Sequence, residues 1–274
     1  MNEHSMTDFS TLELTVSQTG VATLWLNRPD KNNAFNAAMI AELLAALDAV
    51  KANPAVRFLL LRGHGRHFSA GADLEWMRAA AELDYNANLQ DARELAEVMV
   101  SLYHLPVPTL AVVQGSAYGG ALGLISCCDM AIGASDSQFC LSEVRIGLTP
   151  AVISPFVVKA MGERQTRRYA LTAEVFSGEQ AAAMGLLHAA YPASALEQAA
   201  DTWCIRLLDN SPAAMRATKA LLQEVKHGEL SPALRRYTEA AIARIRVSPE
   251  GQEGLNAFLA KRDPNWRNLP TDTD

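Results

Sequence analysis

The sequence predicts an α/β protein whose last part is almost wholly helical. Short buried-strand patterns alternate with helical patterns up to about residue 195, and two glycine-rich stretches each follow such a strand. Beyond that point apolar residues recur at helical spacing. With 274 residues, 49% of them hydrophobic, the chain can fill a substantial core. We therefore expect two regions, residues 1–195 and residues 196–274.

The first elements are a predicted hairpin, a helix and a strand. Residues 12–16 (LELTV) and 21–27 (VATLWLN) alternate apolar and polar side chains around a turn at Gly20, which is typical of a β-hairpin. Apolar residues within 40–50 then recur at helical spacing until Asn53-Pro54 ends the pattern. The segment VRFLLLR, residues 56–62, is the next buried-strand candidate.

A second helix and three strands complete the first region. Apolar residues from Leu89 to Tyr103 share one helical face, and Pro106 and Pro108 follow it. Further strands are predicted for TLAVVQ, DMAIGA and FCLS, which are residues 109–114, 129–134 and 139–142. In the second region, helices are predicted at 195–209, 212–227, 231–246 and 249–261. Three of them begin at a Ser-Pro pair.

Composition excludes several classes of protein. The net charge of −6 predicts no broad basic face, so we expect no nucleic-acid partner. No apolar run is long enough to span a membrane, and the start lacks the pattern of a secretory signal, so we expect a cytoplasmic protein. The four cysteines form no C-x-x-C pair and are expected to be reduced. His64 and His67 lack a nearby third ligand, so no metal is expected.

Two glycine-rich stretches are the main candidates for a functional site. The signatures of dinucleotide, P-loop, zincin and α/β-hydrolase sites are absent, whereas HFSAGADL (67–74) and GSAYGGALG (115–123) each lie between a strand and a helix start. Glycine at such junctions also serves tight turns and close packing. Backbone N–H groups there have no partner within the helix, so one from each loop could bind a single carbonyl oxygen as an oxyanion hole.

Seven short motifs stand in order along the chain. They are N-R-P-x-K-x-N-A-F at 27–35, F-S-A-G-A-D-L at 68–74, G-x-A-x-G-G at 115–120, C-D at 128–129, S-E-x-x-x-G-L at 142–148, M-G-L at 184–186 and F-x-x-K-R at 258–262. Together they make the chain resemble the enoyl-CoA hydratase/isomerase (crotonase) family. The resemblance implies a spiral of β-β-α turns that forms an acyl-CoA-binding catalytic core, then a helical oligomerisation region, assembled as a homotrimer or a homohexamer.

The resemblance also implies the roles of individual residues. The backbone N–H groups of Ala72 and Gly120 would hold the thioester oxygen, and Glu143 would be the acid/base. Coenzyme A enters as part of the substrate, and no separate cofactor is implied. Positions that resemble the coenzyme A contacts of the family are Arg28, Lys31, Ala70, Gly71, Asp73, Phe258 and Lys261.

One position departs from the pattern of typical hydratases in this family. They use two glutamates, and the position of the first is Gly123 in this sequence. A single Glu143 would have to transfer both protons of a hydration, or share the task with a substrate group or bound water. We expect hydration of a 2-enoyl-CoA. A Δ3,Δ2-enoyl-CoA isomerase is the alternative, because it needs one carboxylate, and an acyl-CoA-binding pseudoenzyme is an alternative of another class.

The segment from Ser142 to Arg164 points to a narrower substrate class. It resembles bacterial hydratases of branched glutaconyl-type thioesters, such as 3-methylglutaconyl-CoA and γ-carboxygeranoyl-CoA, in leucine and acyclic-terpene breakdown. Such substrates carry an additional carboxylate, which needs a cation or fixed donors. Arg145 is one candidate, although strand alternation could place it beside Glu143 for structural reasons alone.

Overall fold

The structure is a computed structural model that describes residues 4–5, 9–226 and 229–268. The strands of these residues are β1 (His4–Ser5), β2 (Leu12–Val16), β3 (Val21–Leu26), β4 (Phe58–Gly63), β5 (Thr109–Val113), β6 (Ser116–Tyr118), β7 (Met130–Ala134), β8 (Gln138–Cys140), β9 (Phe176–Ser177) and β10 (Ala189–Tyr191). The α-helices are α1 (Ala37–Ala52), α2 (Leu74–Ala81), α3 (Tyr85–Tyr103), α4 (Gly120–Cys127), α5 (Ser154–Met161), α6 (Glu163–Thr172), α7 (Gly178–Ala183), α8 (Leu196–Leu208), α9 (Pro212–Val225), α10 (Pro232–Val247) and α11 (Pro249–Leu259).

The larger sheet confirms the predicted α/β architecture. Its seven strands stand in the order β1-β2-β3-β4-β5-β7-β10. The predicted hairpin is present, with Leu12 opposite Leu26 and Val16 opposite Ala22. From β3 to β10 the neighbouring strands are parallel. Helices that connect parallel strands pack on the faces of the sheet, which is why these strands read as nearly continuous apolar runs.

A smaller sheet adjoins the two glycine-rich loops. It has the order β6-β8-β9, and β6 follows β5 after Gly115. Two isolated parallel bridges, Phe35 with Ala72 and Ser69 with Ala117, tie the neighbouring loops together. The chain therefore places three loop segments side by side, and both predicted oxyanion donors lie on them.

Where the helical spacing of apolar residues extends over a long segment, the structure has a helix at the predicted place. On α1, Ile40, Leu43 and Leu47 are buried, and the Asn36 side chain caps the first turn. The spacing of apolar residues does not predict α5, α6 or α7, and for α2 the sequence indicates only a helix start after the glycine-rich stretch 67–74. These helices have six to ten residues, which is too short for a clear period.

The four C-terminal helices confirm the predicted helical pattern. Ser211, Ser231 and Ser248 each accept a hydrogen bond from a backbone N–H of the first turn, and a proline follows each serine. Helix α8 packs on the larger sheet, where Leu196 and Ala200 join its apolar cluster. The division of the chain at residue 195 stays a prediction. No helix of the described ranges has the length and apolar character needed to cross a bilayer.

Candidate active site

The first glycine-rich loop runs from Phe68 to Asp73 and presents one unpaired backbone N–H. Phe35 donates its N–H to the carbonyl of Gly71 at 2.7 Å, and Asp73 donates its N–H to the carbonyl of Phe35 at 2.8 Å. Because successive N–H groups of an extended chain point to opposite sides, the N–H of Ala72 points away from Phe35. It has no acceptor among the residues that the structure describes.

The second loop leads from β6 into α4 and presents another unpaired N–H. Gly119 has a φ of 52° and donates its N–H to the carbonyl of Cys140 at 2.9 Å. Gly120 is the first residue of α4, so its N–H has no possible partner within the helix. Within the described ranges no other acceptor binds it. The structure thus leaves unpaired the two N–H groups that the family resemblance implies as donors.

The two loops are in direct backbone contact. Tyr118 donates its N–H to the carbonyl of Ser69 at 3.0 Å. A Cβ atom on Gly71 would lie 2.6 Å from the Tyr118 carbonyl oxygen, and Gly71 has a φ of 86°. Only glycine fits there without displacement, because both the backbone conformation and the space exclude a side chain. The contact fixes the Ala72 loop against the Gly120 loop.

A cavity of about 420 Å³ lies over both loops. The predicted residues Ala70, Gly71, Ala72, Gly120 and Glu143 all line it. The rest of the lining is mostly apolar and carries no positive charge among the described residues. It consists of Trp76, Met77, Ala80, Asn88, Asp91, Ala92, Leu95, Gly119, Ser142, Ile146, Leu148 and Val152.

Glu143 brings a carboxyl group into this cavity. It begins a 3-10 helix, Glu143–Ile146, directly after β8 and Ser142. A Cβ atom on Gly119 would lie 3.1 Å from Glu143 Oε1, so the carboxyl lies against the second loop. Its Oε2 atom is buried and has no hydrogen-bond partner among the described residues. Burial raises the pKa of the Glu143 carboxyl, and a hydrogen bond from its own backbone N–H offsets only part of that effect.

Gly123 on α4 faces packed hydrocarbon. A Cβ atom on Gly123 would lie 2.3 Å from Ile153 Cγ2, 2.9 Å from Ile153 Cβ and 3.0 Å from Met99 Cε. Ile153 and Met99 are both fully buried. Apolar side chains therefore occupy the space that a glutamate at this position would need. Met99 lies on the apolar face predicted for the helix from Leu89 to Tyr103, whereas sequence reasoning did not predict a contact between Ile153 and Gly123.

Arg28 and Asp73 bind each other rather than line the cavity. Arg28 Nη1 lies 2.9 Å from Asp73 Oδ2 and donates to the carbonyl of Ala34 at 2.6 Å. The Asp73 carboxylate also caps α2 by accepting the N–H of Glu75. Burial raises the pKa of Asp73, but the hydrogen bonds from Glu75 and Arg28 outweigh it and hold that pKa below its usual value. This pair therefore holds the first loop in place.

The other predicted coenzyme A contacts lie outside the cavity lining. Lys31 is exposed near the first loop, with Nζ 3.8 Å from Glu75 Oε1. Phe258 is 80% exposed on α11, and the exposed Lys261 follows that helix. Their assignment to coenzyme A stays a prediction. Arg145 does not line the cavity either, since it donates to the carbonyl of Ala173.

A larger cavity of about 620 Å³ lies beside α9, and its Lys219 and Asp129 side chains are paired with each other. Lys219 Nζ lies 2.7 Å from Asp129 Oδ2 and donates to the carbonyl of Val107 at 3.0 Å. The Asp129 carboxylate also accepts the N–H of Thr109 at 2.8 Å. These bonds attach α9 to the sheet, and the cavity contains no counterpart of the two unpaired N–H groups.

His64 and His67, considered from the sequence as metal ligands, have separate partners. His64 Nε2 lies 2.8 Å from Glu13 Oε2, and the His67 ring accepts the N–H of Ser116 at 3.1 Å. Over the described part of the chain, no three histidine, cysteine or acidic side chains are grouped as a metal site. The four cysteines are free.

Comparisons with known proteins agree with this arrangement. The family model described as Enoyl-CoA hydratase/isomerase matches residues 16–269. The 2,3-dehydroadipyl-CoA hydratase of Escherichia coli is 29% identical over 257 residues, which cover 93% of this chain and 98% of that protein. An enoyl-CoA hydratase structure from Shewanella pealeana is 48% identical with a TM-score of 0.90, covering 94% of this chain and 97% of the other. Pseudomonas aeruginosa AtuE is 40% identical with a TM-score of 0.91, covering 94% and 100%.

Proposed function

The chain belongs to the enoyl-CoA hydratase/isomerase family, and we propose that it adds water to a 2-enoyl-CoA, or removes water from the 3-hydroxyacyl-CoA. The observation that carries the proposal is the position of Glu143. Its carboxyl, whose Oε2 atom is buried, shares one cavity with two unpaired backbone N–H groups, those of Ala72 and Gly120. This arrangement combines a proton-transferring group with donors for a developing oxyanion.

The two N–H groups would bind the thioester carbonyl oxygen. As the Cα–Cβ double bond reacts, negative charge builds on that oxygen, and fixed donors stabilise this charge more than they stabilise the ground state. The loss of one such donor typically lowers turnover by about 10² to 10³. The contact between Gly71 and Tyr118 supports the role, because it keeps the two donor loops together.

Glu143 alone can balance the protons of a hydration. In its neutral form it gives one proton to Cα, while a water molecule forms a bond from oxygen to Cβ and passes one proton to the carboxylate. The double bond becomes C–H and C–OH, and Glu143 ends neutral as it began. The raised pKa supports this route, because burial keeps the carboxyl protonated to higher pH than an exposed glutamate.

Glu143→Gln tests the acid/base role. We expect turnover to fall by about 10² or more, because the amide cannot transfer the proton, while coenzyme A binding stays largely intact. Steady-state kinetics and binding of a saturated acyl-CoA would measure the two quantities. Near-full activity of the variant would contradict the role of Glu143.

A Δ3,Δ2-enoyl-CoA isomerase is the second candidate, and the apolar surroundings of Gly123 favour it. In this reaction the Glu143 carboxylate takes a proton from C2 of a 3-enoyl-CoA and returns it to C4, so no second carboxylate and no water are needed. A panel of enoyl-CoAs separates the candidates. Loss of the conjugated enoyl absorbance indicates hydration, and its gain from a 3-enoyl substrate indicates isomerisation. Neither change, together with binding, would indicate an acyl-CoA-binding pseudoenzyme.

The acyl group is proposed to be a branched glutaconyl-type thioester, on the resemblance of the 142–164 segment. A relative named for 2,3-dehydroadipyl-CoA gives some support, because that acyl group also ends in a carboxylate. Against it, the described cavity lining offers no cation, and Arg145 binds the carbonyl of Ala173. The panel therefore needs matched pairs, a glutaconyl-type thioester beside a neutral branched 2-enoyl-CoA of similar size.

The proposed function also includes the expected coenzyme A contacts and the expected oligomer. Coenzyme A would enter as part of the substrate, with Lys31 near the loops as one phosphate contact. Phe258 and Lys261 do not line the cavity of their own chain. We propose a homotrimer or homohexamer, on the resemblance and on the exposed apolar residues of the C-terminal helices. A cytoplasmic location and the absence of a nucleic-acid partner stay predictions.

A further inference from the structure

We propose that Ile153 determines which proton transfers this cavity can perform, because its side chain excludes a second carboxylate from α4. The inference rests on the proposed function, since it concerns the reaction at Glu143. It goes further by assigning a role to a residue that does not line the cavity. Gly123 and Ile153 then act as a pair: Gly123 carries no side chain, and the Ile153 side chain fills the space that one would need.

The geometry around Gly123 carries the first step. Any residue other than glycine would place its Cβ 2.3 Å from Ile153 Cγ2 and 2.9 Å from Ile153 Cβ. Neither atom can move away cheaply, because Ile153 is branched at Cβ, is 2% exposed and begins α5 as its N-cap residue. Met99 Cε, at 3.0 Å, is the end of a flexible side chain and could give way. Ile153 is therefore the obstacle.

The position of Gly123 carries the second step. It lies three residues after the donor Gly120, so a side chain there would leave α4 within one turn of the proposed oxyanion hole. Val152, the neighbour of Ile153, lines the cavity, and so does Leu95, one turn before Met99 on α3. A longer side chain at Gly123 would thus extend toward the reacting carbons if Ile153 were absent.

Asp91 is the other acidic residue of the described lining, and it does not replace a carboxylate at Gly123. It lies on α3 eight residues before Met99, which contacts the Gly123 position. Eight residues of helix span about 12 Å, so Asp91 belongs to the opposite end of the cavity. Glu143 is left as the proton-transferring group near the loops, and it must give and take every proton of the reaction.

A double-mutant cycle, measured by thermal melting, tests without any substrate whether Ile153 excludes a side chain from position 123. We expect Gly123→Ala to lower the melting temperature strongly in the natural background and much less in an Ile153→Gly background, which removes both clashing atoms. The two changes are then non-additive because the residues share one space. Equal losses in the two backgrounds would overturn the proposal.

The activity of a variant with glutamate placed at position 123 tests the role of Ile153 in the reaction. Relative to Ile153→Gly alone, we expect Gly123→Glu with Ile153→Gly to raise hydration turnover on the order of tenfold. The pH profile of kcat/KM should gain a second limb from the second carboxyl. Asp91→Asn in the natural background should leave the shape of the profile unchanged, whereas loss of a limb would make Asp91 the second acid and overturn the proposal.

The outcomes also separate this proposal from the proposed function. If the natural chain turns over no thioester of the panel, the proposed function fails. The double-mutant cycle of melting temperatures still decides whether Ile153 excludes side chains from position 123. If the natural chain is active but the folded double variant equals Ile153→Gly in turnover and pH profile, the proposed function stands. Ile153 then has no part in selecting the reaction.

Discussion

The protonation state of Glu143 links the stability of the protein to its chemistry. The carboxyl lies beside Gly119, and its buried Oε2 has no partner among the described residues, so the folded protein favours the neutral form. The folded-state pKa is raised above the unfolded value. The stability contributed by this group is therefore fully present below the unfolded pKa, and it is lost as the pH rises through the folded pKa.

Glu143→Gln should consequently stabilise the protein at high pH. At about pH 3.5, below the unfolded glutamate pKa of about 4.3, we expect the variant and the natural chain to melt at similar temperatures, because the carboxyl is largely neutral in both states of folding. At about pH 8 the variant should melt at the higher temperature, because it buries no charge. Thermal melts over this range measure the difference, and a difference that shrinks with rising pH would contradict the raised pKa.

Gly71→Ala should impair both the fold and the reaction. The new Cβ would lie 2.6 Å from the Tyr118 carbonyl oxygen, so the loop must shift and carry the Ala72 donor with it. We expect turnover to fall by about 10², the effect of losing one oxyanion donor. Gly162→Ala is the matched control, because Gly162 has a φ of 77° and no atom within 4 Å of its Cβ position. It should lower the melting temperature through backbone strain but leave turnover unchanged.

Single residues differ in how far the sequence predicts them. Ala72, Gly120 and Glu143 lie in short motifs that resemble those of the family, and the resemblance implies their roles, so their shared cavity could be anticipated. Ile153 could not, because its contact with Gly123 joins residues thirty positions apart and depends on how α4 packs against α5. Arg28 shows the same limit. Its motif suggests a ligand contact, whereas the fold pairs it with Asp73.

At the scale of elements, α2 is held by its N-cap residue, Asp73. None of its residues is buried, so apolar packing contributes little to its position. Its start is fixed by the Asp73 carboxylate, which caps the helix and binds Arg28. Since Asp73 directly follows Ala72, the start of α2 also determines the direction of the Ala72 N–H.

Asp73→Ala should destabilise this helix start and the adjacent donor. Loss of the cap and of the ion pair should cost roughly 1 to 3 kcal/mol at neutral pH. Because the folded-state pKa of Asp73 is lowered, its stabilisation is present above the unfolded pKa and lost as the pH falls through the folded one, so the difference should shrink in acid. Denaturant titrations measure it. Glu75→Ala is the control, since its exposed pair with Lys31 should contribute almost nothing. An equal cost for both variants would contradict the cap.

Helices and strands could be predicted where a long pattern of apolar residues or a capping residue indicates them. The Ser-Pro starts locate α9, α10 and α11, and the sheet strands read as apolar runs between breaks. The elements between Ser154 and Ala183 were not predictable, because each is short and packs through two or three residues. Their local sequence does not separate a helix from a turn, and the packing decides.

At the scale of the whole molecule, the C-terminal helices carry apolar residues that the described chain does not cover. Val247 is 75% exposed, Phe258 80% and Leu259 77%. All three residues lie in the region to which the family resemblance assigns oligomerisation, so we expect this region to hold contacts between chains.

Val247→Asp with Leu259→Asp should weaken the proposed assembly. Light scattering of the natural chain should give a mass three or six times that of one chain, 29.6 kDa, and the double variant should give a lower mass. Leu171→Asp, on α6 and 70% exposed, is the control that should retain the assembly. A natural chain that is monomeric at micromolar concentration would refute the oligomer.

The backbone contact between Gly71 and Tyr118 has a kinetic consequence for the whole catalytic cycle. The two donor loops are locked together before any substrate arrives, through backbone atoms that no side-chain rotation can separate. The hole is thus preorganised, and its dipoles need no rearrangement at the moment when charge develops on the substrate. Slow steps of the cycle should then be sought in the entry and departure of the acyl chain past α2 and α3, rather than in assembly of the hole.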